Sequence, residues 1–439
     1  MNMRINDGAR RLTGRLRLVP RAAALVLLAL TLLAPEPGAG APPGHAADEV
    51  LVRFRAGSDA AGRGALHAAA GAQVVREFAS VQGLQLVEVA RGTSVARAVE
   101  QYGRSADVLY VEPNFSLTML ATPNDPSFVA GQLWGLDALP VFDDPDVDAP
   151  DAWDLTTGSP NVVVTVIDSG IDYSHEDLAA NVFRNEAECV ANGVDDDGNG
   201  FVDDCHGIDP IDGDSDPMAV DVHGTHVAGT IGAVGDNGIG VVGVNWRVKL
   251  MPCKVFDAFG NGTVAAAITC LDYVAAMKQR GVEIVATNNS WAVTEFSASL
   301  RDAIDAQRQR GILFVAAAGN YAYCNDVYNC RLDRDNDRKP TWPASFYLPN
   351  VISVANSLEW GWLNAGSAYG RRTVHVAAPG TNVLSTIPGA GYDVLTGTSW
   401  PPPHVAGVAA LLKAQSPARD WRAIKNLILA GSEGDMFPD

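Results

Sequence analysis

The chain has 439 residues, a formal net charge of −19 and a hydrophobic fraction of 47%. That length allows two or three domains, and the composition excludes a disordered or fibrous chain. So acidic a protein repels phosphate backbones, which argues against a nucleic-acid partner.

At the N-terminus Arg4, Arg10, Arg11, Arg15, Arg17 and Arg21 precede an apolar run over residues 22–34, followed by small residues and prolines to Ala47. This is the order of a secretory signal, and the run is short for a bilayer span. Residues 1–41 are assigned to the signal, with cleavage between Ala39 and Ala47; an uncleaved membrane anchor is the alternative. The Arg10-Arg11 pair stands far from the apolar run, which favours general secretion over a twin-arginine route. No second long apolar segment follows, so the processed protein is expected to be extracellular and free of the membrane.

Residues 48–118 read as one small unit. Strands are expected over 50–54, 74–78, 84–89 and 108–111, with helices over 60–70 and 94–102. The order β-α-β-β-α-β predicts a ferredoxin-like fold. The stretch from Met119 to about Asp148 is rich in Pro, Asp and Gly and reads as a linker followed by an arm.

A larger unit occupies 122–439. Near-continuous apolar strands are expected over 162–167, 249–255, 282–287, 312–317 and 351–355, and helices over 223–232, 263–279, 297–310 and 403–415. Such an alternation predicts an α/β domain, with a mostly parallel sheet of about seven strands covered by helices on both faces. Ligands in such folds bind at the carboxyl ends of strands.

Within this unit, residues 195–204 (DDDGNGFVDD) place oxygens at alternating positions around a glycine turn. Asp195, Asp197, Asn199, Phe201 (through its carbonyl) and Asp203 are candidate calcium ligands. Position twelve is His206 and not Glu, so the expectation is an EF-hand-like loop, with a solvated acidic turn as the alternative. Asp333, Asp335 and Asp337 form a shorter acidic series. Export makes the six cysteines candidates for disulfides. Spacing favours Cys189 with Cys205, Cys253 with Cys270, and Cys324 with Cys330, with free buried thiols at 253 and 270 as the alternative for that pair.

Three segments carry the chemistry. Val166-Ile167-Asp168-Ser169-Gly170 puts an acid at a strand end, His223-Gly224-Thr225-His226 opens a helix, and Gly397-Thr398-Ser399 precedes another. A hydroxyl needs an imidazole to take its proton, and a carboxylate to fix the imidazole's tautomer. The order Asp168, His223, Ser399 and the sequence around each resemble the subtilisin-like (S8) peptidases, over residues 122–432. The resemblance implies a serine endopeptidase acting on protein or peptide substrates through an acyl-enzyme. It places the general base at His223 and leaves His226 to support the fold. The box Val315 to Asn320 is similar to the family's oxyanion box, which assigns Asn320 as oxyanion donor. Ser290, Trp291, Ala292, Ala317 and Gly319 are then the residues that line the substrate cleft. Residues 48–118 resemble the inhibitory propeptide of such enzymes, a segment the enzyme removes itself near residues 119–122. A monomer is expected.

The chain departs from the family pattern in four places. Trp400-Pro401-Pro402-Pro403 follows the serine where Met and small residues are usual, and the prolines predict an extended start to the next helix. Ala292 and Val222 replace usual glycines, and Gly366 a usual aromatic.

Overall fold

The computed structural model describes residues 45–115, 121–138, 145–321 and 334–432, and its contacts divide the chain into two units, residues 1–117 and 118–439. The signal segment, Met119 at the expected junction, Cys324, Cys330 and Asp333 lie outside the described residues.

In the first unit β1 (His45–Phe54), α1 (Ala60–Ala70), β2 (Ala72–Glu77), β3 (Leu84–Val89), α2 (Val95–Gly103) and β4 (Val108–Phe115) follow in order. The sheet order is β2-β3-β1-β4, and every pairing is antiparallel. Both helices start on sequence-encoded caps: Asp59 accepts from Gly62 N at 2.6 Å and Ser94 from Arg97 N at 3.2 Å, filling amides that no helical carbonyl can reach. The strand period of two turns Val50, Val52 and Phe54 inward against Ala98 and Tyr102 of α2. One histidine joins this core. His67 of α1 bonds Tyr102 Oη at 2.8 Å and Gln85 Oε1 at 3.0 Å.

The second unit continues with α3 (Pro126–Val129), α4 (Ala149–Trp153), β5 (Gly158–Asp168), α5 (Val222–Gly232), β6 (Arg247–Lys254), α6 (Val264–Gln279), β7 (Ile284–Asn289), α7 (Ala298–Gln309), β8 (Leu313–Ala317), β9 (Val351–Ser357) and β10 (Val376–Pro379). A hairpin of β11 (Val383–Ile387) and β12 (Gly391–Leu395) and the helices α8 (Pro401–Gln415) and α9 (Trp421–Gly431) complete it. Six strands pair in parallel in the order β10-β9-β8-β7-β5-β6. Against the seven or so expected, the described sheet has six; β10 belongs to it and the β11–β12 hairpin stands apart. Strand order reverses at β5, so a crevice is expected beyond its carboxyl end.

Along β5, Val162, Val164 and Val166 face a core shared with Val227 and Ile231 of α5 and Val405 and Ala409 of α8. Val163 and Ile167 point the other way, to Leu271 and Val274 of α6 and Leu300 and Ile304 of α7. Burial on both faces is why the strand reads as an unbroken apolar run. Cys253 and Cys270 are disulfide-bonded, tying β6 to α6, and Cys189 and Cys205 are bonded across 16 residues. A closed loop of that size contributes about 3 kcal/mol in the chain-entropy picture. Among the described residues no helix is long and apolar enough to cross a membrane.

The triple proline does not delay α8. The helix begins at Pro401, with Trp400 already in the right-handed region at φ −88° and ψ −26°. First-turn amides have no intrahelical acceptor, so three residues without N–H groups lose no bond there, and their fixed φ suits a helix. The steric bias against α before proline is overridden in this buried segment.

Candidate active site

Asp168 ends β5, at the point where the strand order reverses, and is fully buried. Its Oδ1 accepts from Ser169 N at 2.8 Å and from His223 Nδ1 at 2.7 Å. His223 is held in turn by its helix start: Asp221 is the N-cap of α5 and accepts from His223 N at 2.8 Å. Glycine follows because the helix end abuts the β5 turn; a Cβ on Gly224 would stand 2.2 Å from Gly170 O. With Nδ1–H committed to the carboxylate, Nε2 is left as an acceptor. Burial pulls the His223 pKa down, but the Asp168 charge and hydrogen bond outweigh it, and the net shift is upward.

His226, one turn on, differs in every respect. It is fully buried, Nε2 donates to Val383 O at 3.0 Å and Asp393 O at 3.1 Å, and burial lowers its pKa to about 4. It is a neutral clasp between α5 and the β11–β12 hairpin.

Ser399 precedes α8 by two residues and is half-buried. Its hydroxyl donates to Ser290 O at 3.3 Å, while Ser290 Oγ donates to Ser399 O at 2.7 Å. Among the described residues the Ser399 hydroxyl does not bond His223. Catalytic hydrogen bonds commonly tighten only once substrate is bound. The Trp400 ring lies beside His223, with centroids 4.9 Å apart.

Asn320 follows β8 and is exposed. Its Oδ1 accepts from Thr398 N at 2.8 Å and from Thr398 Oγ1 at 3.0 Å. Two donors on the oxygen fix which end of the amide is free, so the Nδ2 donor is available beside Ser399. Gly319 is required just before it: φ is +119°, and a Cβ would lie 3.0 Å from the Thr341 side chain. Ser290 and Ala317 are buried at the ends of β7 and β8, and Ala292 is exposed. Trp291 turns inward, its indole donating to Ile167 O at 2.9 Å.

The acidic loop folds differently from the expected ligand cage. Asp195 accepts from Asn199 N and Gly200 N, and Asp203 from Asn192 N and Gly193 N. Asn199 Nδ2 donates to Asp204, and Phe201 packs edge-on to Tyr273. The carboxylates that converge are Glu188, Asp197 and Asp204, whose oxygens lie within 4.8 Å of one another; this group could hold a metal ion. Only Asp197 belongs to the expected set. Glu188 comes from the 3-10 turn Glu186–Glu188, and Asp204 is drawn in by Tyr273 Oη at 2.7 Å. Asp337 of the shorter acidic series is taken up by Arg372 N, Thr373 N and Thr373 Oγ1.

A second carboxylate pair escaped the sequence reading. Asp125 and Asp177 are both fully buried. Asp236 N donates to Asp125 Oδ2 at 2.7 Å; Asn237 Nδ2 and Val241 N donate to Asp177 at 2.7 and 2.9 Å. Asp125 Oδ1 is buried with no hydrogen-bond partner among the described residues, and burial raises the pKa of both acids. Thr398 as the clamp on Asn320 was also missed. An acid near a turn and a threonine before a serine have no sequence signal of their own; their partners come from distant segments.

Comparison with known proteins bears on the same residues. The profile of the subtilase family matches residues 159–435, and that of the fervidolysin N-terminal prodomain matches 38–114. Subtilisin-like protease 1 of Plasmodium vivax is 36% identical over 67% of this chain and 46% of its own length. A thermophilic serine proteinase of Bacillus sp. (strain AK1) is 31% identical over 84% of this chain and 78% of its own. The crystal structure of a cold-adapted subtilisin-like serine proteinase superposes with a TM-score of 0.50 at 26% identity, covering 68% of this chain and 90% of that one. The chain spans less than half the length of the Plasmodium vivax relative.

Proposed function

Because this chain belongs to the subtilase family, we propose that it is a secreted serine endopeptidase, made as a self-processing precursor, that hydrolyses internal peptide bonds through an acyl-enzyme. The observation that carries this is the 2.7 Å bond from His223 Nδ1 to the buried Asp168, at the strand-order reversal beside Ser399. Ser399 Oγ attacks the scissile carbonyl carbon while its proton passes to His223 Nε2. The oxyanion that forms takes hydrogen bonds from Asn320 Nδ2 and Ser399 N. Collapse expels the amine, which receives the proton from His223; water then repeats the sequence and releases the acid. Asp168 keeps the imidazole in one tautomer and stabilises its charged form. Ser290, Ala292, Ala317, Gly319 and the backbone of Trp291 line the cleft, and Ala292 in place of glycine narrows its wall.

Calcium fits both carboxylate groups. Glu188 and Asp204 are 1% and 0% exposed, and Asp197 is met by Arg280 at 3.2 Å, so among the described residues two buried acids have no cation of their own. Glu188, Asp197 and Asp204 would hold one ion, and Asp125 with Asp177 and Asn237 another, the orphaned Asp125 Oδ1 being the argument for the second. Bound calcium would neutralise these charges and hold the loops. Residues 48–118 would act as the intramolecular inhibitor, and residues 1–41 would direct export.

The test is incubation of the purified precursor and its Ser399→Ala variant with a denatured protein substrate, read by mass spectrometry. Wild type is expected to cleave the substrate and itself near residues 119–122, and the variant to do neither. Equal cleavage by both would overturn the reading.

A further inference from the structure

The side chain that follows the nucleophile is the part of the site that the proposed chemistry does not use. Trp400 is 5% exposed, and its indole Nε1 is buried with no hydrogen-bond partner among the described residues. Its backbone is pinned: Trp400 N donates to Gly397 O at 3.4 Å, and His404 Nδ1 bonds Trp400 O at 2.9 Å. The ring meets two imidazoles. Its centroid is 4.9 Å from that of His223 at a tilt of 44°, and 4.3 Å from that of His226 at 52°.

We propose that Trp400 is a positioning residue, whose indole face holds the His223 ring between Asp168 and Ser399 and stabilises the imidazolium formed when the serine proton arrives. A cation within about 6 Å of an aromatic centroid is attracted by the ring's electron-rich face, and tryptophan offers the strongest such face. The centroid separation of 4.9 Å lies inside that distance, and the neighbouring ring is a tryptophan. An aliphatic side chain would fill the same space and give no attraction. The charged and titratable groups around His223 are few. Asp168 faces it from β5 and Asp221 from its own helix cap, both favouring the charged ring. His226 on the same helix and His404 on α8 are driven to about 4 by burial, so both are neutral at working pH and do not compete for the indole face. The inference rests on His223 as the general base, and it adds a residue that acts through it.

The experiment compares wild type with Trp400→Leu, Trp400→Met and Trp400→Phe in the full chain. Two readouts are taken: the pH profile of kcat/KM, and the His223 imidazole titration by NMR in a Ser399→Ala background that cannot digest itself. Loss of the face is expected to move the acidic limb and the His223 titration to lower pH by about half a unit in the Leu and Met variants. Plateau kcat should fall about three-fold with KM little changed, and Phe should keep more than half of the effect. If neither Leu nor Met moves the His223 titration, or if Phe moves it as far as they do, the proposal is overturned. Should one aliphatic variant fail to fold, the other carries the test. The NMR readout does not depend on turnover. A normal His223 shift in a protein without peptidase activity would therefore support the role of Trp400 while refuting the enzymatic reading.

Discussion

In the first unit His67 lies on α1 among Phe54, Tyr102 and Gln85, with no carboxylate bonded to it among the described residues, and burial lowers its pKa. In the second unit His223 lies on α5; burial would lower it too, yet the bonded Asp168 turns the net shift upward. The residue type and the element are the same, and one carboxylate reverses the sign. His67, lowered in the fold, contributes stability that is full above its unfolded value of about 6.5 and is lost as pH falls below it. His223, raised in the fold, contributes stability that is full below about 6.5 and is lost as pH rises through its folded value. Acidification thus loosens the first unit and protonates the base of the second.

The sharpest way to break this contrast is Asp168→Asn, which removes the reversing charge. Steady-state kinetics are expected to show kcat down by about 10⁴-fold, the size of loss known for triads deprived of their acid. A fall of under tenfold would mean that His223 does not depend on Asp168. Asn320→Ala leaves the triad charge intact and removes only the proposed oxyanion donor, so kcat should fall by about 10²–10³-fold with KM steady. This second figure is one measured on subtilisin itself, and is applied here by family membership. Thr398→Ala, which keeps the backbone donor but loses the hydroxyl clamp, should cost less than that.

Stability is expected to respond to the buried acids of the second unit. At calcium a hundredfold above its dissociation constant, a bound ion contributes about 2.7 kcal/mol per site. Chelation should lower the melting temperature of the Ser399→Ala protein, and Asp177→Asn or Asp204→Asn should each remove part of that response. A melting temperature indifferent to chelator would count against both sites. The smallest effect concerns His67. Hydrogen-exchange protection of residues 45–115 in the Ser399→Ala precursor should fall between pH 7 and 5, by at most about tenfold per pH unit, and His67→Gln should flatten the dependence. Protection that rises on acidification would contradict the sign.

What could be read from the sequence follows the range of the interactions. Helix α1 and strand β3 were expected at the residues where they occur, because their caps and periodicities are local. The triad boxes were legible as strand-end and helix-start signals. The helix start at Pro401 was misjudged because the pre-proline bias is local, whereas the burial of Trp400 to Pro403 that overrides it is tertiary. Strand β10 and the β11–β12 hairpin were not among the expected elements, although Gly389-Ala390-Gly391 is a local turn signal between β11 and β12. The acidic loop announced its composition but not its convergence: alternation suggested Asp195 and Asp203, while Glu188 is held by the amides of Asp197 and Asp203, and Asp204 by Asn185 and Tyr273. Asp125 and Asp177, 52 residues apart in numbering, had no local pattern to betray them.

The central claim is that Asp168, His223 and Ser399 act as one proton-passing unit, and covalent labelling by a serine-directed organophosphate tests it most directly. Peptide mapping of the labelled protein should place one adduct on Ser399 in wild type and none in His223→Ala. An adduct at another serine, or equal labelling of Ser399 without the imidazole, would contradict it.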